Sequence, residues 1–196
     1  MAIYLLFIQH IIFSLSKIGK AAIVVPTGFL TATGIALKIR KYLIDKKVLT
    51  GAISMPSNIF ANTGTNVSMI FIDYSNTSND VVLIDASKLG TVIREGKNQK
   101  TLLSAEDENE IISVFKEKIK KDDFSTVVNY KKIINKKLSL WAGQYFDLKI
   151  DYINISEENF KNKLNIFNEK VDKFLEESLN NHKDIKEKIN KIKFNE

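Results

Sequence analysis

The spacing of apolar positions changes several times along this chain, and each change marks an element. Ala2–Ser16 carries Ile3, Phe7 and Ile11 four residues apart, with Leu6 and Ile12 widening the face, which predicts a helix. Lys17-Ile-Gly-Lys20 ends it, the glycine serving as the stop. Ala21–Val25 is a continuous apolar run closed by Pro26, the pattern of a strand covered on both faces in an α/β sheet. Thr27–Gly34 reads as a polar loop, and Ile35–Lys46 as a helix with Ile35, Ile39 and Leu43 inward. Leu49–Met55, Val67–Tyr74 and Val81–Asp85 follow as strands, the first two joined by the loop Pro56–Asn66. Ser87–Lys100, with Gly90, Gly96 and several charges, is expected to be a loop.

The second half reads differently. Ser104 is placed to cap a helix whose first turn holds Glu106, Asp107 and Glu108 and whose end holds Lys118, Lys120 and Lys121. Ile111, Phe115 and Ile119 supply its apolar stripe. Asp123–Asp151 is expected to be irregular, with Trp141 and Tyr145 anchoring it. From Ser156 the chain turns to Lys, Glu and Asn around a seam of Phe160, Leu164, Phe167, Val171 and Phe174, four and three apart. Continued in register, that seam meets Ser178 and Asn181, which predicts a kink or a second helix there. The expected domains are 1–100, a helix plus linker over 101–155, and a helical region over 156–196.

Charge and composition narrow the classes. Residues 1–100 hold 11 Lys+Arg against 5 Asp+Glu, while residues 101–196 hold 18 of each. The basic surplus therefore lies in the strand-rich half, as a phosphate-facing surface requires, although Lys38, Arg40, Lys41, Lys46 and Lys47 also fit the wet face of one helix. With no cysteine there are no disulfides or thiolate metal sites, and a cytoplasmic location is compatible. His10 and His182 lie too far apart in sequence to suggest a metal site, and His10 reads as a core side chain. The apolar Met1–Leu15 lacks the basic start and cleavage site of a signal peptide and is shorter than a membrane span. A helix awaiting cover by a large partner surface is the expectation.

Several segments, in order, resemble the C-terminal part of the modification (M) subunit of type I restriction–modification systems, which are adenine-N6 DNA methyltransferases. They are Phe7–Ile12, Gly19–Gly28, Lys38–Arg40, Met55–Phe60, Thr63–Thr65, Leu83–Ser87, Glu95–Gln99, Phe124–Tyr130, Ala142–Asp147 and the terminal helix. The resemblance implies an α/β fold: the C-terminal portion of a Rossmann-like S-adenosylmethionine-dependent methyltransferase, a mixed sheet with an antiparallel hairpin strand, then an α-helical extension. Val67–Tyr74 would run antiparallel between Ala21–Val25 and Leu49–Met55. It also implies DNA and the specificity (S) subunit as partners, the latter on the Phe160–Phe174 seam.

In that family a flipped adenine is held by an Asn-Pro-Pro-aromatic motif while a glycine-rich turn seats S-adenosylmethionine. The only prolines here, Pro26 and Pro56, follow Val25 and Met55, and the eight glycines include no G-x-G. The expectation is therefore no catalytic residue and no tight S-adenosylmethionine binding by this chain alone. Activity would need an N-terminal methyltransferase fragment; otherwise the chain would be a non-enzymatic binder of the S subunit. Phe60 resembles the aromatic that stacks on the flipped base, with a core plug as its alternative. Asn58, Thr63, Thr65, Lys38 and Arg40 are candidate base or DNA contacts. The uncovered Ala21–Val25 edge and first helix predict self-association.

Overall fold

The computed structural model describes residues 2–60, 65–95, 98–147 and 155–190. It divides into two compact units, residues 1–148 and 149–196. The first unit is built on a five-stranded sheet. Helix α1 (Ile3–Ser14) leads to β1 (Lys20–Pro26), a 3-10 turn (Thr27–Leu30), α2 (Ile35–Asp45), β2 (Leu49–Ser54), β3 (Val67–Asp73) and β4 (Asp80–Asp85). A two-stranded ribbon follows, β5 (Thr91–Glu95) and β6 (Asn98–Leu102), then α3 (Ala105–Glu117), β7 (Ser125–Asn129) and α4 (Tyr130–Asn135).

The sheet order is β1-β3-β2-β4-β7. As the family resemblance implies, β3 lies antiparallel between β1 and β2, with Ile23 opposite Ile70 and Ala52 opposite Ile70. The fourth strand, whose place the chain pattern leaves open, pairs parallel with β2, and β7 closes the far edge antiparallel to β4. Alternation along each strand feeds two apolar layers, because successive side chains point to opposite faces. Ile23, Val25, Ala52, Ile70, Ile72 and Leu83 meet α1, α2 and α4 on one face. Ile53, Val82 and Ile84 meet Ile111 and Val114 of α3 on the other. Gly51 is needed on that second face, since a Cβ there would collide with the Phe115 ring and approach the Val82 carbonyl oxygen to 2.7 Å.

Local chemistry accounts for several boundaries. The Ser104 hydroxyl accepts the Asp107 N–H at 3.1 Å while the Asp107 carboxylate accepts the Ser104 N–H at 2.9 Å. This reciprocal capping box starts α3 and is worth about 1 kcal/mol. At the far end of β3, Asp73 accepts from the Ser75 hydroxyl and pairs with Lys20 at 3.0 Å. The Ser75 bond, assisted by Lys20, holds the Asp73 carboxyl below its usual range although desolvation opposes it.

Several expectations need correction. Residues 87–100 are not all loop: ten residues around Gly96 form the β5–β6 ribbon, pairing Thr91 with Leu102 through Glu95 with Asn98. Nor is 123–151 wholly irregular, since β7 and α4 lie in it and bind it to the sheet; Tyr145 is buried there while Trp141 is 43% exposed. In α1 the packing face is Leu5 and Ile8, so Ile3 and Phe7 are 71% and 61% exposed, and His10 is exposed rather than a core residue. In α2, Ile39 and Leu43 are buried as expected but Ile35 is 41% exposed, and Ile119 lies past the end of α3, half exposed.

The described part of the second unit holds one uninterrupted helix, α5 (Glu157–Asn190), of about 51 Å at the standard rise. The expected break at Ser178 and Asn181 is absent. At 100° per residue Ile185 and Ile189 return to within about 40° of the direction of Val171, with Leu175 and Leu179 filling the stripe between. Neither glycine nor proline occurs from Glu157 to Asn190 to interrupt it. Among the described residues no helix is long and apolar enough to cross a membrane.

Candidate nucleic-acid interface at the carboxyl edge of the sheet

Strands β1, β2 and β4 run in one direction, so their carboxyl ends share one edge of the sheet, where β3 and β7 begin. Open α/β sheets bind ligands outside this edge. Here the chain is tied down by short polar contacts. Thr27 donates its N–H to the Asn66 carbonyl at 2.9 Å, and its hydroxyl lies 3.0 Å from that of Ser68. The Ala86 N–H reaches the Ser54 carbonyl at 2.9 Å, and the Asp85 carboxylate accepts the Ser87 N–H at 3.0 Å. Ser54, opposite Ser68 and Asp85 in register, is buried with its hydroxyl unpartnered among the described residues.

The loop after β2 is held from outside the five-stranded sheet. Asn58 takes a left-handed backbone, φ 54°, which Asn tolerates better than most residues. Its carbonyl accepts the Thr101 N–H at 2.9 Å, and the Ser57 carbonyl accepts the Thr101 hydroxyl at 2.6 Å. Thr101 itself is buried, and so is Pro56. Phe60 follows with 48% of its surface exposed. A half-exposed ring on a pinned loop is available for stacking in a way that a plug beneath the loop is not.

The other candidates are dispersed. Thr65 is exposed near the start of β3, and Thr63 lies outside the described residues. Lys38 borders a groove between α1 and α2 with Gln9, Phe13, Ile35 and Tyr42, away from the Asn58–Phe60 loop. Arg40 is a correction. It is fully buried, and its guanidinium donates to the carbonyls of Leu138 at 2.9 Å, Ala32 at 2.7 Å and Phe29. Burial lowers its pKa to about 10, so it stays cationic at neutral pH. Fully buried and engaged on three carbonyls, the guanidinium is out of reach of a phosphate. The basic look of Lys38-Ile-Arg40-Lys41 conceals it, since a charged residue at this helical spacing usually marks the wet face.

Sequence reasoning also missed Thr101 and the ribbon that carries it. A signal was present, because Thr91–Arg94 and Lys100–Leu102 supply β-branched and long side chains on either side of Gly96. The described residues at this edge can stack and hydrogen-bond, but they assemble no acid, base and nucleophile, and no metal-binding cluster.

The N-6 DNA methylase family model matches residues 2–158, and the chain belongs to that family. Within it the similarity falls on the methylase subunits of type I restriction enzymes. The chain is 29% identical over 189 residues to the type I restriction enzyme MpnII methylase subunit of Mycoplasma pneumoniae, covering 96% of this chain and 32% of that protein. It is 27% identical over 202 residues to the MjaIX methylase subunit of Methanocaldococcus jannaschii, covering 96% and 35%. A crystal structure of the type I methyltransferase subunit from Streptococcus thermophilus superposes with a TM-score of 0.65 at 29% identity, over 72% of this chain and 30% of that one. The chain thus spans about a third of the length of the curated relatives it matches.

S-adenosylmethionine is the methyl donor this family implies, and the described residues do not by themselves fit it. The eight glycines include no G-x-G to make the cofactor turn, and at Gly28, after β1, an added Cβ would meet nothing within 4 Å. Gly90 is crowded by the ribbon's own backbone rather than open to a ligand.

Proposed function

We propose that this chain supplies the base-facing wall of a type I adenine-N6 DNA methyltransferase and a helix for docking its specificity subunit. The pinned loop with the half-exposed Phe60 at the carboxyl edge carries the reading. In this reading Phe60 stacks on an extruded adenine, and Asn58, Thr63 and Thr65 line its surroundings. Methyl transfer requires a cofactor turn and an Asn-Pro-Pro-aromatic motif, which a complementary methyltransferase portion would bring. Support for such a partner comes from β1, an edge strand with Val24 46% exposed, and from the exposed Ile3, Phe7 and Phe13 of α1. Lacking that portion, the chain would neither hold S-adenosylmethionine tightly nor methylate DNA, and its open edge would favour self-association.

The docking role of α5 draws support from its exposed stripe, including Phe160, Leu164, Phe167, Val171 and Phe174. Radiolabelled S-adenosylmethionine binding and adenine methylation are the tests. Both are expected only when a portion bearing the two motifs is added. Methylation of a duplex by the purified chain alone would refute the division of labour.

A further inference from the structure

We infer that the β5–β6 ribbon is a nucleic-acid arm that contacts duplex DNA beside the Phe60 loop, with Thr101 as the residue that positions the loop against it. The inference rests on the reading that the carboxyl edge faces DNA, and it assigns the contact to a separate element.

Three observations support it. First, the ribbon is a two-stranded sheet of its own, rooted at this edge. At its base Gly90 has φ 82°, and a Cβ there would stand 2.7 Å from the Leu102 carbonyl oxygen, so the crossing of the two strands depends on glycine. Second, Thr101 bonds both Ser57 and Asn58. Pairing of Val92 with Thr101 and of Arg94 with Gln99, taken with the two-residue period, puts Arg94 and Gln99 on the face that Thr101 turns to the loop. Both are exposed.

Third, the charge fits a polyanion. Residues 87–102 contain Lys88, Arg94, Lys97 and Lys100 against the single acid Glu95. Among the described residues Lys88, Arg94 and Lys100 make no ion pair. A two-stranded ribbon is of a size that enters the major groove, and Arg and Gln make two-point contacts there. Lys88 and Lys100 suit the flanking phosphates.

The test is binding of the full chain to a labelled duplex by fluorescence anisotropy across a salt series. Arg94→Ala/Lys100→Ala should weaken binding about tenfold and reduce the slope of log K against log salt by about two. Lys46→Ala/Lys131→Ala, at the opposite edge, should bind as the unaltered chain does. Thr101→Val should weaken binding without changing the slope, and Thr101→Ser should restore it. Benzoylphenylalanine in place of Arg94 should crosslink to the duplex, whereas the same group in place of Lys131 should not. If the Arg94 and Lys100 variant binds unchanged with no crosslink from position 94, the arm is refuted and the DNA-facing wall survives. If the unaltered chain binds no DNA at low salt, both fall.

Discussion

The two units handle their apolar residues in opposite ways. In residues 1–148 the sheet buries Ile70, Leu83, Leu43 and Phe29 almost completely, and even the guanidinium of Arg40 is taken inside and bonded. In α5 Phe160, Phe167, Phe174 and Ile189 are more than half exposed, although they form an ordered stripe. An apolar pattern on a helix therefore shows which face seeks cover. It does not show that the cover lies in the same chain. Stability should accordingly depend on single polar contacts in the sheet unit and be indifferent to single apolar contacts on the helix.

The largest effect should come from Arg40. Arg40→Met keeps much of the side-chain volume but leaves the carbonyls of Phe29, Ala32 and Leu138 without their donor. Buried orphan acceptors cost about 1–3 kcal/mol each, and partial relaxation makes a loss of about 3–5 kcal/mol the expectation. Urea denaturation followed by the fluorescence of Trp141 measures it. A loss below about 1 kcal/mol would mean that water reaches those carbonyls, and the contrast with α5 would weaken.

Tyr130 is a smaller lever of the same kind. Its hydroxyl donates to the Leu49 carbonyl at 2.8 Å and accepts from Asn76 at 3.1 Å, joining α4 to β2 and to the turn after β3. Tyr130→Phe should cost about 1–2 kcal/mol in the same assay. Burial raises the Tyr130 and Tyr145 hydroxyls to about 12 from an ordinary 10.0. A raised folded pKa contributes stability that is whole below the unfolded value and is lost as pH climbs through the folded one. Stability of the sheet unit should therefore fall between pH 10 and 12, and less steeply in the Tyr130→Phe variant. An equal slope in both would remove Tyr130 from the account.

What was legible follows from how local each determinant is. The strands β1, β2 and β3 follow from local apolar runs and their order from the family resemblance, and the capping box at Ser104 lies within four residues. Arg40 was not legible, because its three acceptors come from Phe29, Ala32 and Leu138, the last 98 residues away. Thr101 was hidden likewise, since its partners Ser57 and Asn58 lie across the loop and only the fold brings them together. The ribbon failed for a different reason: Gly90, Gly96 and the charges outweighed a β-branched alternation only four or five residues long. In α5 a strict count of three and four declared a break, while a straight helix of 3.6 residues per turn tolerates the drift.

The smallest expected effect tests the other half of the contrast. Phe167→Glu/Val171→Glu places two charges in the middle of the α5 stripe, where the two side chains are 65% and 39% exposed. Substitutions at exposed positions usually shift stability by no more than about 0.5 kcal/mol, so the urea midpoint of the sheet unit should not move. Association should respond instead. A specificity subunit or second copy that covers the stripe would have to bury two unpaired carboxylates, so sedimentation should show loss of the complex at concentrations where the unaltered chain forms one. A lowered midpoint with association intact would place the cover of α5 within this chain and erase the distinction between the two units.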